Sequence, residues 1–457
     1  METEVARELL HILVISHNNR IPQRFATASN SPEDSISVCL NWLIQVLKLF
    51  HQRHWRDMIS SAILIFNHLE ETMISTYSQL CPVIFGAGAV NLLSEKVKER
   101  GGTKALCIYD NGVKAAGISD RIVRALSDAG ISVITFDEVL PDAPNQTVDR
   151  AGKLGQDEKV DIIIGIGGGS SLDTAKAASV LVENPLPIRQ YFVSKGSQFQ
   201  ITKPLILIPT TSGTGSEVSI MAVIHDEETH MKDSVLRAAD LAIVDPELTM
   251  TVPKMITAIT GFDALSHAVE AYTTNCTNPK ADILTLEVMR LVINNLETAC
   301  EDGTNLEART NLSLASNLAG MAFNDAFLHF GHAVAHEFGV VFHMPHGVAC
   351  ALTIPEVIRF SSDVAPIRTK KIAEALGVTI PIGAPPAEVG ELAAAQVRSL
   401  MKKLKIKSLK EQGISLEAAI NCAEGAIAHN PFINCALKTV DPPALKALIQ
   451  QMYDNYQ

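Results

Sequence analysis

The chain predicts an α/β domain built on a parallel sheet, followed by an all-α domain, and three observations carry this. Short apolar runs alternate with amphipathic stretches from about residue 80 to residue 246. One of those runs ends in three consecutive glycines. Past Asp245-Pro246 the strand signal largely stops while helical periodicity continues. Alternation with short connections places helices on both faces of a sheet, whose ligands then sit at the carboxyl ends of the strands.

Taken in order, residues 1–72 read as an N-terminal extension of unknown role. Leu40, Leu43, Ile44, Leu47 and Phe50 give it one helix with a wide apolar face. Residues 73–250 form the α/β domain. Strands are expected at 82–85, 105–109, 131–136, 160–166 and 204–208, and helices at 89–99, 118–129, 147–156 and 172–182. Residues 251–457 form the helical domain. Its helices are expected at 254–260, 263–272, 280–299 and 306–323, at a histidine-rich stretch, and at 387–404, 416–427 and 443–453.

The 457 residues, 47% hydrophobic and 19% charged, describe a globular chain rather than a disordered or fibrous one. A formal charge of −12 argues against nucleic acid as a partner. Eight cysteines stand singly, without CxxC pairs, which suits a reducing compartment and argues against both a disulfide scaffold and a thiolate zinc site. No apolar run approaches the ~20 residues a membrane span needs, and no secretion signal opens the chain. A cytoplasmic protein without a membrane partner is expected.

Chemistry concentrates in Leu328–Gly347, where five of the fourteen histidines fall within eighteen residues. His332 and His336 are four apart, so a helix stacks both imidazoles on one face. Gly339 is expected to close that helix, Val340-Val341-Phe342 to be extended and buried, and Pro345 to present His346 at a new turn. Upstream, Asp263 and His267 repeat the four-residue spacing on an apolar helical segment, and a buried aspartate needs a cation or several donors. Together with two of the later histidines they make an oxygen and nitrogen site suited to Fe²⁺ or Zn²⁺.

Two loops suit a nucleotide. Gly167-Gly168-Gly169-Ser170 follows a buried strand and opens a helix, which lets backbone approach a pyrophosphate at a helix N-terminus. Pro209–Glu217, with five Ser and Thr hydroxyls and two glycines at another strand end, offers partners for phosphate or ribose oxygens. Asp110 ends a third strand, where it either accepts a ribose hydroxyl or caps the next turn.

With these residues in view, the chain from Met73 onward resembles the iron-dependent (group III) alcohol dehydrogenases. The motifs are GGGSSLDTAK (Gly167–Lys176), PTTSGTGSE (Pro209–Glu217), AIVDPELT (Ala242–Thr249), GFDALSHAVEAY (Gly261–Tyr272) and GHAVAHEFG with PHG (Gly331–Gly339, Pro345–Gly347). The resemblance implies a dehydroquinate synthase-like fold and the metal ligands Asp263, His267, His332 and His346. It makes His336 an imidazole beside substrate and nicotinamide. It assigns Gly167, Gly168, Gly169, Ser170, Asp173, Thr210, Thr211 and Lys232 to the cofactor, with Asp110 favouring NAD over NADP. Around Lys232 the family pattern fits only with a gap. A homo-oligomer is also implied.

The reaction implied is interconversion of a small primary alcohol and its aldehyde by hydride transfer with NAD(H), at a Lewis-acid metal, with His336 relaying the proton. Phe262, Phe327 and Phe342 are candidates for shaping the pocket. A metal-independent enzyme like maleylacetate reductase is opposed by the complete Asp/His/His/His set. A zinc lyase of the dehydroquinate synthase type would need a basic pocket for a sugar phosphate, which this sequence does not show. A nucleotide-binding protein with a vestigial site is opposed by the clustering of titratable groups.

Overall fold

The apolar runs become β1 (Val83–Phe85), β2 (Lys104–Asp110), β3 (Ser132–Val139), β4 (Ile162–Gly167) and β5 (Leu205–Pro209). An antiparallel hairpin, β6 (Met221–Asp226) and β7 (Met231–Leu236), follows, then β8 (Leu241–Val244). The computed structural model describes residues 75–457, so the extension read over residues 1–72 lies outside the described residues. Six strands form one sheet in the order β1-β8-β5-β4-β2-β3, and every neighbouring pair is parallel.

β4 shows why the sequence reads as it does. All six of its residues are buried, and successive isoleucines point to opposite faces. Ile162, Ile164 and Ile166 pack with Leu93 and Val97 of α1 (Leu93–Glu99), and with Ile122 and Leu126, which lie beyond the short α2 (Asn111–Ala115) on α3 (Ile118–Asp128). Ile163 faces the other side, toward Leu172, Ala175 and Ala178. Those residues lie on α5 (Gly169–Leu181), beside which α4 (Asn145–Glu158) packs. The chain runs from β2 to β3 on one side and from β4 to β5 on the other, so the sheet reverses its winding between β2 and β4. In such sheets that crevice is where ligands bind.

From Lys254 onward the described residues are helical: α6 (Lys254–Tyr272), α7 (Pro279–Glu301), α8 (Leu306–Ala326), α9 (Phe330–Phe342), α10 (His346–Ser361), α11 (Pro366–Ala375), α12 (Pro386–Lys403), α13 (Leu416–His429) and α14 (Pro442–Asn455). α6 is buried on every side from Gly261 to Tyr272 and is the centre of this layer, with α7, α8 and α10 against it.

Three expectations are corrected. The helices expected at 254–260 and 263–272 are one helix. Gly261 does not break it, because a Cβ there would lie 2.3 Å from Leu296 Cδ1, and the glycine serves close packing on α7. Gly339 does not close α9. The helix continues through Val340-Val341-Phe342, leaving Val341 exposed, and the left-handed His343 (φ 52°) makes the turn. Phe262 does not shape a pocket, being fully buried in the core. The β6/β7 hairpin and helices α10 and α11 went unread. Pro355 sits inside α10, where proline ordinarily signals a break.

Candidate active site

Asp263 and His267 project from one face of α6, a turn apart. His332 and His336 project from α9, while His346 opens α10 just after Pro345. Two glycines bring these helices close enough. A Cβ on Gly347 would lie 2.2 Å from the Ile259 carbonyl oxygen, so only glycine lets the first turn of α10 press against α6. A Cβ on Gly331 would lie 2.6 Å from Glu270 Oε1, and α9 meets α6 there in the same way.

The result is a convergence on one oxygen. Asp263 Oδ1 lies 3.7 Å from His267 Nε2, 3.8 Å from His332 Nε2 and 3.5 Å from His346 Nε2. These separations are too long for hydrogen bonds, and Asp263 Oδ1 is buried without a hydrogen-bond partner, as is His267 Nδ1. Donors at about 2.1 Å from a shared tetrahedral ion would stand roughly 3.4 Å apart, so the three separations from Asp263 fit a divalent metal of the iron or zinc kind. The chemistry of the set, one carboxylate with imidazoles, fits as well.

Charge at this point is strongly coupled. Burial opposes ionisation of Asp263, but His267, His332 and His346 outweigh it and hold the carboxyl well below its usual range. Burial likewise disfavours charge on His346, yet Cys350 and Asp263 raise its imidazole to about 9. His267 goes the other way, to about 4, chiefly through burial. His336 is held well below the ordinary histidine range, again first by burial and then by Lys232, His346 and His332.

His336 stands apart from the convergence. It is half-buried, its ring centroid lies 5.3 Å from that of His346 and 6.1 Å from that of His332, and its Nδ1 faces Asn430 Nδ2 at 3.4 Å. Two residues that sequence reasoning missed complete the site. Glu270, on α6, meets Nδ1 of His332 at 2.6 Å. Cys350, one turn along α10 from His346, places Sγ 3.5 Å from His346 Nε2 and 3.8 Å from His332 Nε2. Both were detectable as helical neighbours, at three residues from His267 and four from His346. His329 and His343 stay outside: His329 is buried against Thr273, and His343 is exposed at the end of α9.

Among the residues expected at the cofactor, the glycine loop lies at the carboxyl end of β4 in the winding crevice. Gly167 has φ 147°, and a Cβ there would lie 2.6 Å from Ser171 Oγ and 3.3 Å from Asp110 Oδ2. No side chain caps the N-terminus of α5 at Gly168. Asp110 shows the capping alternative: Oδ1 accepts the N–H groups of Gly112 and Val113 at 2.7 and 3.0 Å, and Ser171 Oγ donates to Oδ2 at 2.8 Å. Thr210 donates its backbone N–H to the Gly167 carbonyl, while Thr211 lies over Gly168. Ser170 Oγ accepts the Asp142 N–H, and Lys232 on β7 pairs with Asp142 at 2.8 Å.

Asp173 faces inward, accepting from Ser216 Oγ and from the Val223 N–H beside the fully buried Lys176. Part of the Pro209–Glu217 loop also docks the sheet onto the helices. Ser212 meets Ser313, Glu217 accepts from Asn317, and Gly215 lies against the α8 backbone at Gly320. Phe327 stacks on Phe432, and Phe342 packs on Phe338.

Comparison with known proteins places these features. Residues 82–246 match the model of the iron-containing alcohol dehydrogenases, and residues 257–453 match that of the C-terminal region of the Fe-containing alcohol dehydrogenase family. The 1,3-propanediol dehydrogenase of Klebsiella pneumoniae is 36% identical over 357 residues, 77% of this chain and 92% of that enzyme. Among solved structures, a 1,3-propanediol oxidoreductase superposes with a TM-score of 0.78 at 33% identity, covering 82% of this chain and all of its own. The sulfoacetaldehyde reductase of Bifidobacterium kashiwanohense, solved in complex with NAD+, gives 0.76 at 26% identity over 83% of this chain and 99% of its own. The chain belongs to the iron-containing alcohol dehydrogenase family and is an oxidoreductase of that family.

Proposed function

We propose that the protein interconverts small primary alcohols and aldehydes with NAD(H) at a divalent metal, iron or zinc, held by Asp263, His267, His332 and His346. The observation that carries this is the approach of three imidazole Nε2 atoms to one buried, unpartnered carboxylate oxygen. When bound, the metal supplies Lewis acidity toward the substrate oxygen and the dinucleotide supplies the hydride carrier.

The chain's own residues do the rest. Glu270 accepts from Nδ1 of His332, which leaves the lone pair of Nε2 facing Asp263. His336, kept neutral by burial, takes up the hydroxyl proton on oxidation and returns it on reduction. Gly167, Gly168, Gly169 and Ser170, at the uncapped start of α5, receive the pyrophosphate. Thr210, Thr211 and Lys232 border that path, and Asp173 supports it from beneath through Ser216. The carboxylate of Asp110 disfavours a 2′-phosphate and so selects NAD. Residues 73–250 thus serve the dinucleotide and residues 251–457 the metal.

We place the enzyme in the cytoplasm as a homo-oligomer. The seven described cysteines are free, which supports a reducing compartment, and among the described residues no helix is long and apolar enough to cross a membrane. The outward-facing Ile283 and Ile367 on neighbouring helices support self-association. The reading is tested by assaying short alcohols and diols with NAD and NADP, anaerobically, on protein stripped with chelator and reloaded with Fe²⁺ or Zn²⁺. Full activity in the stripped protein would sink it.

A further inference from the structure

We propose that Cys350 is a thiolate ligand of the metal bound at Asp263, His332 and His346, making this centre a mixed nitrogen, oxygen and sulfur site. The inference rests on the metal reading above and deepens it. Cys350 is fully buried on α10, and the single turn from His346 aims its side chain at the same point. Donor atoms of Asp263, His332, His346 and Cys350 all lie within 4.8 Å of one another, a group to which His267 does not belong. Independently of the cysteine, Asp263 Oδ1 is buried, faces the same space and has no hydrogen-bond partner, as expected of an oxygen waiting for a cation.

Among the described residues the sulfur has no other hydrogen-bond partner than two imidazoles. These are the Nε2 atoms of His332 and His346, at 3.8 and 3.5 Å. Those distances resemble the separations among the donors of the proposed ligand set itself. A thiol left among them would point at imidazole nitrogens that bind metal through the same lone pairs. On coordination the S–H bond breaks, the proton leaves to solvent, and a sulfur lone pair forms the bond to the metal, with no change of oxidation state. Thiolate is the softest donor available, so its presence shifts the preference of the site from Fe²⁺ toward Zn²⁺. His267, stacked on His332 with ring centroids 4.7 Å apart, stays in the ligand set, and the thiolate is a fifth protein donor.

The test is zinc K-edge X-ray absorption on the purified full chain loaded with one equivalent of Zn²⁺, compared with Cys350→Ser. The expected result is one sulfur neighbour at about 2.3 Å beside nitrogen and oxygen at about 2.0–2.2 Å, with the sulfur lost in the variant. Cobalt substitution gives a parallel readout, a near-ultraviolet sulfur-to-cobalt charge-transfer band that Cys350→Ser abolishes. Zinc bound through nitrogen and oxygen alone overturns the thiolate and leaves the metal reading standing. A sulfur signal that persists in Cys350→Ser overturns the assignment to Cys350. Failure to retain zinc or cobalt at all overturns the metal reading, and this inference with it. If the serine variant does not fold, Cys350→Ala replaces it, and the wild-type spectrum alone still decides whether sulfur is bound.

Discussion

Glu270 Oε1 lies 2.6 Å from Nδ1 of His332, while Oε2 of the same buried carboxylate accepts the backbone N–H groups of His329 and His332 at 2.8 and 3.2 Å. One side chain on α6 thus fixes both the start of α9 and the orientation of a proposed ligand on it. Burial opposes the charge on Glu270, but His332 and His329 outweigh it and bring the carboxyl down to about 2.

Glu270→Gln is therefore expected to keep the backbone contacts and lose the charged partner of the imidazole. Metal affinity should fall by about 10–100-fold, the usual effect of losing such a support. Competition against a chelator measures it. Glu270→Leu should instead cost about 3–5 kcal/mol of stability, because buried partners are left unpaired, and urea unfolding reads that loss. Unchanged metal affinity in Glu270→Gln would show that Glu270 serves the fold alone.

His332 and His336 share a helix face but are expected to fail differently. His332→Ala should empty the site of metal. His336→Ala should bind metal normally while turnover falls by about 10²–10⁴, the range for removing a general acid or base. Metal content by elemental analysis, set beside kcat for the same preparation, separates the two. Loss of metal in His336→Ala would return that residue to the ligand set.

How much of this was legible depended on whether the deciding contact was local. The i,i+4 spacing of Asp263 with His267 is written in the chain, and one helix face carries it unaided. The meeting of α6 with His346 is not local. It requires Gly347 to lie against Ile259, eighty-eight positions upstream, and nothing in a one-dimensional pattern states that contact. Cys350 escapes the sequence reading because cysteines scattered singly, without a CxxC pair, argue against a thiolate metal site. The hydroxyl-rich Pro209–Glu217 loop was read for phosphate because its composition suits one, yet Ser212 and Glu217 spend their polarity on Ser313 and Asn317 of α8. The hairpin of β6 and β7 was missed because its second strand, Met231–Leu236, carries Lys232, Asp233 and Ser234 and lacks an apolar run.

Away from the site, Asp161 gives a pH-dependent contribution to stability. It accepts from the Thr103 and Lys104 backbone N–H groups, both at 2.9 Å, and from the Thr103 hydroxyl at 2.5 Å. Burial works against the charge, but these donors prevail and lower its pKa from the ordinary 3.8. The folded state therefore binds fewer protons than the unfolded state in acid. The stabilisation is present above the unfolded pKa and is lost as pH falls through the folded value. Asp161→Asn should lower the unfolding midpoint at pH 7, with the gap to wild type narrowing toward pH 3. Chemical denaturation at both pH values checks this, and a gap independent of pH would exclude the charge as the cause.

Asp110 holds two roles that one pair of substitutions separates. As a cap it accepts from Gly112 N–H and Val113 N–H, and as a carboxylate at the end of β2 it sets a negative charge beside the glycine loop, within reach of Ser171. Asparagine keeps an acceptor oxygen for the cap and removes the charge, whereas alanine removes both. Asp110→Asn is expected to unfold close to the wild-type midpoint while the ratio of kcat/KM for NADP to that for NAD rises. Asp110→Ala should show the same coenzyme shift and also lose about 0.5–2 kcal/mol of stability, the cost of an absent N-cap. If Asp110→Asn leaves the coenzyme ratio where it was while Asp110→Ala loses stability, the residue is a cap and nothing more. Preference for NAD must then be set by another part of the crevice.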